Sequence, residues 1–316
     1  MNKAFVLGAG LGERLKPLTD QLPKPLVPVF HRPLITHAFD HLIAAGVNEF
    51  VVNSFHLPQE YERAFPAGTW RGRPVIFRQE TPIRLETAGG IANVRDLLEG
   101  DEPFFVYNGD ILTDLPLAPL MREHEERGNL VTLALRSTGP ALHIALDPVT
   151  GAVTDIRNML GTGDEGTHLF TGIYIVSPAF FDYLTPGKKE SVIPIFLRLI
   201  EEGRKLGGLV IDEGQWWDLG NRTSYLEAHR IIAQTEGFPA YAPTRHHAIS
   251  DTARIAAGAQ LMGTNIIGPG SVVEDRAVVE DCILWPGATV ASEARLKNCI
   301  IRSGIRAEGV SVDADL

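Results

Sequence analysis

Cysteine is scarce in this sequence, since its 316 residues contain only Cys282 and Cys299. Small secreted domains that depend on disulfide bonds have a far higher cysteine density, so that class is excluded and a reducing, cytoplasmic setting is expected. Long hydrophobic runs are also missing. The first apolar run ends at Gly8, and no later run has the length of a membrane span. We therefore expect neither a targeting signal nor a membrane anchor.

Positive charge is in the minority as well. The sequence has 29 Lys and Arg residues against 39 Asp and Glu residues, for a formal net charge of -10, and no stripe of basic residues. This balance argues against a nucleic-acid partner and against an anionic membrane surface. A polyanionic ligand such as a nucleotide would need a focused site of a few cations, backbone N–H groups and a metal ion.

Hydrophobic residues, at 44%, are numerous enough for a sizeable core, and their pattern alternates between strands and helices. The predicted strands are 3–7, 50–52, 75–79, 103–107 and 130–135, and the predicted helices are 33–45, 88–98 and 116–127. Alternation of this kind predicts an α/β domain with a mostly parallel sheet covered by helices.

A six-residue period replaces this pattern after about residue 240. Aliphatic residues recur at Ile249, Ile255, Leu261, Ile267, Val273 and Val279, with Trp285 continuing the register, and small residues follow most of them by four positions. This is the hexapeptide pattern of a parallel β-helix, and the alternative is an irregular β-rich tail with chance spacing. Pro239 and Pro243 mark a linker. We expect domains at 1–240 and 241–316.

A glycine-rich turn follows the first predicted strand directly. Gly8, Gly10 and Gly12 would let the backbone approach a triphosphate closely, although such turns also serve dinucleotide enzymes. The continuation is more specific: Arg14 is followed by a Pro-Leu-Thr and then by Lys24, which has a proline on each side. The two prolines favour an extended backbone that would hold this one cation in place.

These motifs together resemble the family of sugar-1-phosphate nucleotidyltransferases, the NDP-sugar pyrophosphorylases. The resemblance implies a Rossmann-like mixed sheet, here followed by a short left-handed parallel β-helix. It also implies a reaction that joins a nucleoside triphosphate to a sugar 1-phosphate and releases pyrophosphate. By motif, the triphosphate would be wrapped by Gly8, Ala9, Gly10 and Gly12, and the catalytic cations would be Arg14 and Lys24.

Two aspartates match the metal-binding positions of that family. A predicted buried strand ends in Asn108-Gly109-Asp110, which places Asp110 at the carboxyl edge of the sheet, and Asp218 lies in a Trp-Asp-Leu-Gly segment before a helix. The resemblance implies Mg2+ held by Asp110 and Asp218, with Asn108 beside the nucleotide. An ordinary turn or helix cap is the alternative role for Asn108 and Asp218. His37 and His41 receive no catalytic or metal role.

The segment that lines the base in relatives corresponds here to residues 80–90. Glu80, Ala88 and Gly89 are the expected nucleotide contacts. Its Leu-Glu-Thr-x-Gly-Gly form resembles the N-acetylmuramic acid 1-phosphate uridylyltransferases, whereas mannose-1-phosphate guanylyltransferases usually have a glycine in place of Glu86. The hexapeptide coils point instead to the guanylyltransferases. UTP is slightly favoured over GTP as the nucleotide substrate, and the identity of the sugar 1-phosphate stays undetermined.

The sugar pocket is predicted around Thr171 and Gly172, by resemblance to the family's sugar-contacting strand, with a plain buried strand as the alternative. A Glu-Lys-Pro that many relatives have before this strand is missing. Arg157 stands near that place and is the expected substitute, because a guanidinium can bind a phosphate through two hydrogen bonds.

Three other functions compete with this one, and one of them, a cytidylyltransferase that acts on a phosphate other than a sugar phosphate, stays open. Paralogues of the family act as non-catalytic regulatory subunits, but they typically lose the Arg, Lys or Asp that this chain retains. A nicotinamide dehydrogenase would need an acidic residue about twenty positions after the glycine turn, where the Pro-Lys-Pro segment lies instead. The expected partners are a nucleoside triphosphate, a sugar 1-phosphate and further copies of the chain associating through the β-helix.

Overall fold

The computed structural model describes residues 1–241 and 247–316. Pro243, part of the predicted linker, lies outside them. The chain forms two compact units, the first made of Met1–Leu11 and Ile35–Trp216, the second of Gly12–Leu34 and Trp217–Leu316. The division therefore falls inside the glycine-rich turn, so each unit contains part of the predicted triphosphate loop. The domain boundary at residue 240 stays a prediction.

The elements are numbered in chain order. The α-helices are Ile35–Ala44 (α1), Pro58–Ala64 (α2), Glu86–Asn93 (α3), Arg95–Leu98 (α4), Leu117–Arg127 (α5), Val192–Glu201 (α6) and Arg222–Gln234 (α7). The strands up to α7 are Lys3–Leu7 (β1), Pro28–Val29 (β2), Arg32–Pro33 (β3), Glu49–Ser54 (β4), Thr69–Trp70 (β5), Arg73–Gln79 (β6), Phe104–Asn108 (β7), Ile111–Thr113 (β8), Val131–Arg136 (β9), Ile144–Leu146 (β10), Val153–Ile156 (β11), Leu169–Val176 (β12), Leu206–Val210 (β13) and Trp216–Asp218 (β14). The later strands are Arg254–Ile255 (β15), Gln260–Met262 (β16), Ile266–Ile267 (β17), Val272–Val273 (β18), Val278–Glu280 (β19), Ile283–Leu284 (β20), Thr289–Val290 (β21), Arg295–Lys297 (β22), Ile300–Ile301 (β23), Arg306–Ala307 (β24) and Val310–Val312 (β25).

The first unit is built on an eight-stranded sheet with the order β13-β9-β12-β7-β1-β4-β6-β5. β1 is parallel to both β4 and β7, and β12 lies antiparallel between β7 and β9. The sheet is thus mixed and mostly parallel, as predicted, and all five predicted strands are confirmed. In parallel neighbours the carboxyl ends meet at one edge, so Leu7 of β1 lies beside Asn108 of β7.

Helices pack on this sheet through apolar side chains. Phe39 of α1 contacts Phe50 of β4, with ring centroids 4.6 Å apart, while α3 and α6 share one buried cluster with β1, β7 and β12. The helix predicted at 88–98 is in fact two helices, α3 and α4. Val94 between them has a non-helical backbone (φ -114°, ψ 14°) and is completely buried. The apolar pattern runs on through this residue because core packing continues across the break.

The second unit contains a parallel β-helix made of three ladders: β15-β18-β21-β24, β16-β19-β22-β25 and β17-β20-β23. The predicted register is confirmed from Ile255 to Val279, but Ile249 is exposed and the prediction is wrong at Trp285. The first coils pair residues eighteen apart, as in Arg254 with Val272, but Ile266 pairs with Ile283 at a spacing of seventeen. One residue is therefore missing from the repeat, and Leu284 takes the place in the β-helix core.

Trp285 instead joins the β-helix to the rest of the second unit. Its ring N–H donates to the hydroxyl of Tyr225 on α7 at 3.1 Å, and that hydroxyl donates to the Pro28 carbonyl on β2. At the start of α7, Asn221 and Ser224 form reciprocal capping hydrogen bonds. Within the described residues, no helix combines the length and the apolar character needed to cross a bilayer.

Candidate active site

A cavity of about 300 Å³ opens in the first unit where β1 and β7 end. Its lining includes Ala9 and Gly10 of the glycine turn, and Asn108 and Asp110 after β7. Ligands of open α/β sheets bind at this edge, because the loops after the strand ends are free to supply polar groups. The structure thus brings four of the predicted site residues to one cavity.

The glycines of this region serve different purposes. A Cβ on Gly8 would lie 2.5 Å from the Asn53 carbonyl oxygen, and one on Gly109 would lie 2.7 Å from the Leu7 carbonyl oxygen, so both positions need glycine for close backbone packing. Gly10 is different, because nothing lies within 4 Å of the position that its Cβ would take. Its backbone therefore faces open space, where a ligand can approach it.

Buried side chains fix both backbone groups of Gly8. Its N–H donates to Oδ1 of Asn53 at 2.7 Å, and its carbonyl accepts a hydrogen bond from the hydroxyl of Tyr61 at 2.7 Å. Burial, with a smaller effect of the negative charge of Asp110, raises the pKa of Tyr61. The hydroxyl therefore stays protonated and remains a donor. The start of the glycine turn is thus held by two side chains that the sequence motifs did not reveal.

Glu80 lies behind the cavity and is buried, with 1% of its surface exposed. Its Oε1 accepts from Nδ2 of Asn53 at 2.7 Å, and its Oε2 accepts from the N–H of Leu85 at 2.6 Å. Burial raises the pKa of Glu80, against the opposing effects of these hydrogen bonds and of the charge of Arg84. Its predicted role as a nucleotide contact stays a prediction.

The start of α3 packs closely on a second segment of the first unit. The N–H groups of Ala88 and Gly89 both donate to the carbonyl of Glu190, at 2.9 and 3.2 Å. A Cβ on Gly89 would lie 2.2 Å from the Lys188 carbonyl oxygen, so this glycine is required by the chain's own packing. Glu86, which lines the cavity, has φ +61°, a left-handed conformation that favours glycine.

The predicted sugar residues lie at the start of β12. A Cβ on Gly172, whose φ is +84°, would lie 2.5 Å from Nδ2 of Asn108, so Gly172 is directly beside a cavity residue. Thr171 is buried, and its hydroxyl donates to the Ala134 carbonyl at 2.8 Å. The described residues that line the cavity do not include Arg157, which follows β11 and donates its backbone N–H to the His143 carbonyl.

A cluster of charges forms in the second unit. Nζ of Lys24 lies 3.1 Å from Oδ1 of Asp218, and Nη2 of Arg14 lies 3.7 Å from Oδ2 of the same carboxylate. Gly12 has φ +65°, and its carbonyl accepts from the hydroxyl of Thr19 at 2.9 Å. Both predicted catalytic cations therefore contact one predicted metal ligand. We call Arg14, Lys24 and Asp218 the charged cluster.

Lys24 and Arg14 differ in how far their side chains are exposed. The side chain of Lys24 is only 6% exposed, whereas that of Arg14 is 71% exposed and that of Asp218 is 40% exposed. Lys24 opens a 3-10 turn, Lys24–Leu26, in which the Val27 N–H donates to the Lys24 carbonyl at 3.1 Å. Pro23 precedes the turn with an extended backbone, but the extended backbone predicted around Lys24 is wrong at Lys24 itself, because this residue is part of the turn. The lysine is consequently fixed, while the arginine reaches out from the surface.

The side chains present suit a metal ion that takes few ligands from the protein. Among the described residues, no three His, Cys, Asp or Glu side chains are grouped closely enough to hold a metal ion by themselves. Mg2+ commonly uses only one or two protein carboxylates and completes its shell with phosphate and water. Single aspartates such as Asp110, at the cavity, and Asp218, in the charged cluster, fit that mode of binding.

Comparison with known proteins agrees with this geometry. The model of the family described as nucleotidyl transferase matches residues 3–235. The chain belongs to the nucleotidyl transferase family. It is therefore a nucleotidyltransferase, an enzyme that transfers a phosphorus-containing group.

Similar proteins use different bases. The chain is 33% identical to an N-acetylmuramate alpha-1-phosphate uridylyltransferase of Neisseria meningitidis, over 72% of this chain and 97% of that protein. It is 30% identical to a mannose-1-phosphate guanylyltransferase of Mycobacterium tuberculosis, over 85% and 76%. It is 26% identical to a UTP–glucose-1-phosphate uridylyltransferase of Synechocystis, over 90% and 82%. These relatives use sugar 1-phosphates, with UTP or GTP according to their names.

A solved structure supports the fold. The inositol-1-phosphate CTP transferase from T. maritima superposes with a TM-score of 0.60, covering 71% of this chain and 91% of that chain at 17% sequence identity. At this identity the likeness concerns the fold alone.

Several cavity residues were not singled out in the sequence, although Arg84 and Thr87 belong to the predicted base segment 80–90. Arg84, Thr87 and Ser191 line the cavity together with Asn53. Asn53 could have been found, because it is the polar residue that directly follows the apolar Phe50-Val51-Val52 of β4. Ser191 could not, because it reaches the cavity from a segment a hundred residues farther along the chain.

Proposed function

We propose that the chain transfers a nucleoside monophosphate from a nucleoside triphosphate to a sugar 1-phosphate and releases pyrophosphate. The observation that carries the proposal is the cavity at the sheet edge, lined by the open backbone of Gly10 and by Asp110. It is supported by the relatives that act on sugar 1-phosphates. The substrates bring two anions together, so catalysis depends on charge neutralisation and positioning, without a covalent nucleophile.

The residues divide this work between them. The backbone around Ala9 and Gly10 positions the triphosphate, and Asn108 orients the nucleotide beside Asp110. Lys24 and Arg14 offset the negative charge that grows on the departing pyrophosphate. In the free protein both cations are paired with Asp218. We propose that the triphosphate takes over these contacts.

Mg2+ is the proposed metal, and Asp110 and Asp218 are the proposed carboxylate ligands. When bound, the ion would neutralise charge on the reacting phosphates. Asp218 would be freed for this role once phosphate pairs with Lys24 and Arg14.

UTP is the slightly preferred nucleotide, on the form of the 85–90 segment and the uridylyltransferase among the relatives. GTP is the second candidate, favoured by the guanylyltransferase that matches 85% of this chain, including part of the β-helix. Glu86 adopts a backbone conformation suited to glycine, the residue that we expect in guanylyltransferases. The position therefore tolerates either residue, and the base remains to be measured.

The proposed sugar contacts are Thr171 and Gly172. Arg157 stays the proposed phosphate contact, although the cavity lining points to Arg84 as a further cation. A catalytic domain at 1–240, self-association through the β-helix and a cytoplasmic location are also retained as proposals.

The experiment is a substrate panel. The purified chain is incubated with UTP, GTP, dTTP or CTP, Mg2+ and one of several sugar 1-phosphates, and pyrophosphate is measured, with EDTA as the metal control. We expect one triphosphate to give clear turnover with glucose, mannose or N-acetylmuramic acid 1-phosphate. If no combination of a triphosphate and a sugar 1-phosphate releases pyrophosphate, the proposed function is refuted.

A further inference from the structure

Two loops contribute to the cavity lining, and one buried pair of side chains connects them. The first loop is residues 8–10, and the second is residues 80–87, which runs into the start of α3 and carries Arg84, Glu86 and Thr87 into the cavity. Asn53 accepts from the Gly8 N–H through Oδ1 and donates to Glu80 through Nδ2, both at 2.7 Å. Glu80 then accepts from the Leu85 N–H at 2.6 Å. The chain of hydrogen bonds thus runs from one loop to the other.

Every polar atom of this pair is used. Asn53 and Glu80 are each 1% exposed, so water cannot replace a lost partner. A buried group that loses its partner carries its full desolvation cost, and linked hydrogen bonds reinforce one another at low dielectric. Gly90 confirms how tightly the pair is enclosed, since a Cβ there would lie 3.0 Å from Nδ2 of Asn53 and 3.1 Å from Oε1 of Glu80.

We propose that Asn53 and Glu80 are positioning residues that lock the two loops into one geometry, so that nucleotide bound by residues 8–10 is also held correctly by residues 80–87. This assigns Glu80 a role behind the cavity and not a direct contact with the nucleotide. The catalytic consequence rests on the proposed function. The mechanical coupling of the two loops does not depend on the proposed function.

The atoms of the pair allow a decisive exchange of roles. Asn53→Asp removes the Nδ2 donor and places two carboxylates face to face, while Glu80→Gln places an amide where the Leu85 N–H needs an acceptor. In the double variant N53D/E80Q every bond can form again. The carboxylate introduced at position 53 accepts from the Gly8 N–H and from the side-chain amide at position 80, whose own oxygen accepts from the Leu85 N–H. A swapped but complete network is the expected result.

The experiment measures kcat and KM for the triphosphate in these three variants. We expect N53D to lose about 100-fold and E80Q about tenfold in kcat/KM at pH 8, mainly through KM, and the double variant to return to within about threefold of the wild type. A double variant no better than N53D would overturn the proposal, because general damage to the core would not be repaired by a second substitution.

The pH profile of N53D gives a second readout. Two facing buried carboxylates must share a proton, so one of them has a strongly raised pKa. The groups that face Glu80 are the donors Asn53 and Leu85 and the charge of Arg84. N53D should therefore recover relative to the wild type as the pH falls from 8 towards 5.5. A deficit independent of pH would count against the pairing.

The coupling can also be tested without turnover. In Asn53→Ala, amide hydrogen exchange should accelerate at Gly8, which loses its acceptor, and at Leu85, which Asn53 does not touch. The matched control is Tyr61→Phe, which loses only the hydrogen bond to the Gly8 carbonyl and should leave Leu85 protected. Unchanged exchange of Leu85 in Asn53→Ala would overturn the proposal, whether or not the wild type is active in the substrate panel.

Discussion

The polar groups around Gly8 and the charged cluster around Asp218 use opposite physical means. Around Gly8, Asn53, Tyr61 and Glu80 are buried and joined by hydrogen bonds of 2.6 to 2.7 Å. In the charged cluster, ion pairs of 3.1 and 3.7 Å join side chains of which two are well exposed to water. The first arrangement is stable because loss of any of these hydrogen bonds would leave a buried polar group unsatisfied. In the second, the pair of Arg14 with Asp218 is open to exchange, since exposed ion pairs contribute little in water, while Lys24 holds Asp218 from an enclosed position.

The difference indicates what each region does. A buried network of fixed donors and acceptors defines the shape of the glycine turn before any ligand arrives, which lowers the ordering cost of binding. Exposed charges such as those of Arg14 and Asp218 can instead pair with phosphate or a cation with little loss. Preset shape and transferable charge are both properties that the proposed attack of one anion on another requires.

Replacing Asp110 should have the largest effect. Asp110→Ala removes the carboxylate at the cavity, and we expect kcat to fall by at least about 10³-fold, because charge compensation is the main catalytic term. The thermal midpoint should stay within a few degrees of the wild type, as Asp110 is only partly buried. Asp110→Asn, which keeps the shape without the charge, is the matched control and should be nearly as inactive. A rate above a tenth of the wild type in either variant would rule out the metal assignment.

Acid should disturb the first unit through a buried histidine. Burial lowers the pKa of His41 to about 4, although the Leu115 carbonyl and the charge of Asp114 oppose this shift. Its Nε2 contacts the Leu115 carbonyl at 2.8 Å and its Nδ1 the Tyr107 hydroxyl at 3.1 Å. The neutral ring satisfies both contacts, by donating to the first and accepting from the second.

The sign of the acid effect follows from the direction of that shift. A depressed pKa in the folded state means that stability is complete above pH 6.5 and is lost as the pH falls to about 4, by about 3 kcal/mol for this one group. This loss of stability is measured by urea unfolding of the wild type and of His41→Gln between pH 7 and pH 4.5. The stability difference between them should shrink on acidification. A constant difference from pH 7 to 4.5 would show that His41 does not titrate in this way.

The two regions also differ in how far the sequence predicted them. Arg14, Lys24 and Asp218 were predicted from contiguous motifs, and the structure brings all three together. Asn53 and Tyr61 were not, because they support Gly8 from β4 and α2, and only the parallel pairing of β1 with β4 creates that contact. Local motifs reveal charged site residues readily, whereas the contacts of buried neutral side chains can be predicted only once the order of the strands is known.

The β-helix shows the same limit. The six-residue period predicted its coils correctly until one residue was missing from the repeat, after which Leu284 and not Trp285 points to the core. The change of register by one residue could not be seen in the sequence, because Trp285, a large apolar residue, occupies the position that the six-residue period predicts. Trp285 is buried for another reason, since it contacts α7.

Removing the fixed cation should have an intermediate effect. Lys24→Met keeps the buried stem but loses the ammonium group, and we expect kcat/KM for the triphosphate to fall by about 100-fold. Lys24→Arg is the matched control. This variant keeps the positive charge, but the longer guanidinium side chain fits the nearly closed space around position 24 less well. Its kcat/KM should therefore lie between those of Lys24→Met and the wild type. Equal activity of Lys24→Met and the wild type would contradict a role for this lysine in phosphate binding.

Arg14→Lys should have the smallest effect and tests the exchange of charges directly. Because Arg14 is 71% exposed, the free energy of unfolding should change by less than about 0.5 kcal/mol. Binding of the triphosphate should weaken by about tenfold, because lysine cannot bind phosphate through two parallel hydrogen bonds.

The salt dependence of binding gives a second test of the same residue. Raising the ionic strength from about 0.05 to about 0.5 M should weaken triphosphate binding less in Arg14→Ala than in the wild type. Asn53→Ala supplies the contrast, since it removes no charge and should keep the salt dependence of the wild type. Equal salt slopes in all three proteins would mean that the exposed charges do not meet the triphosphate, and the division between shape and charge would fail.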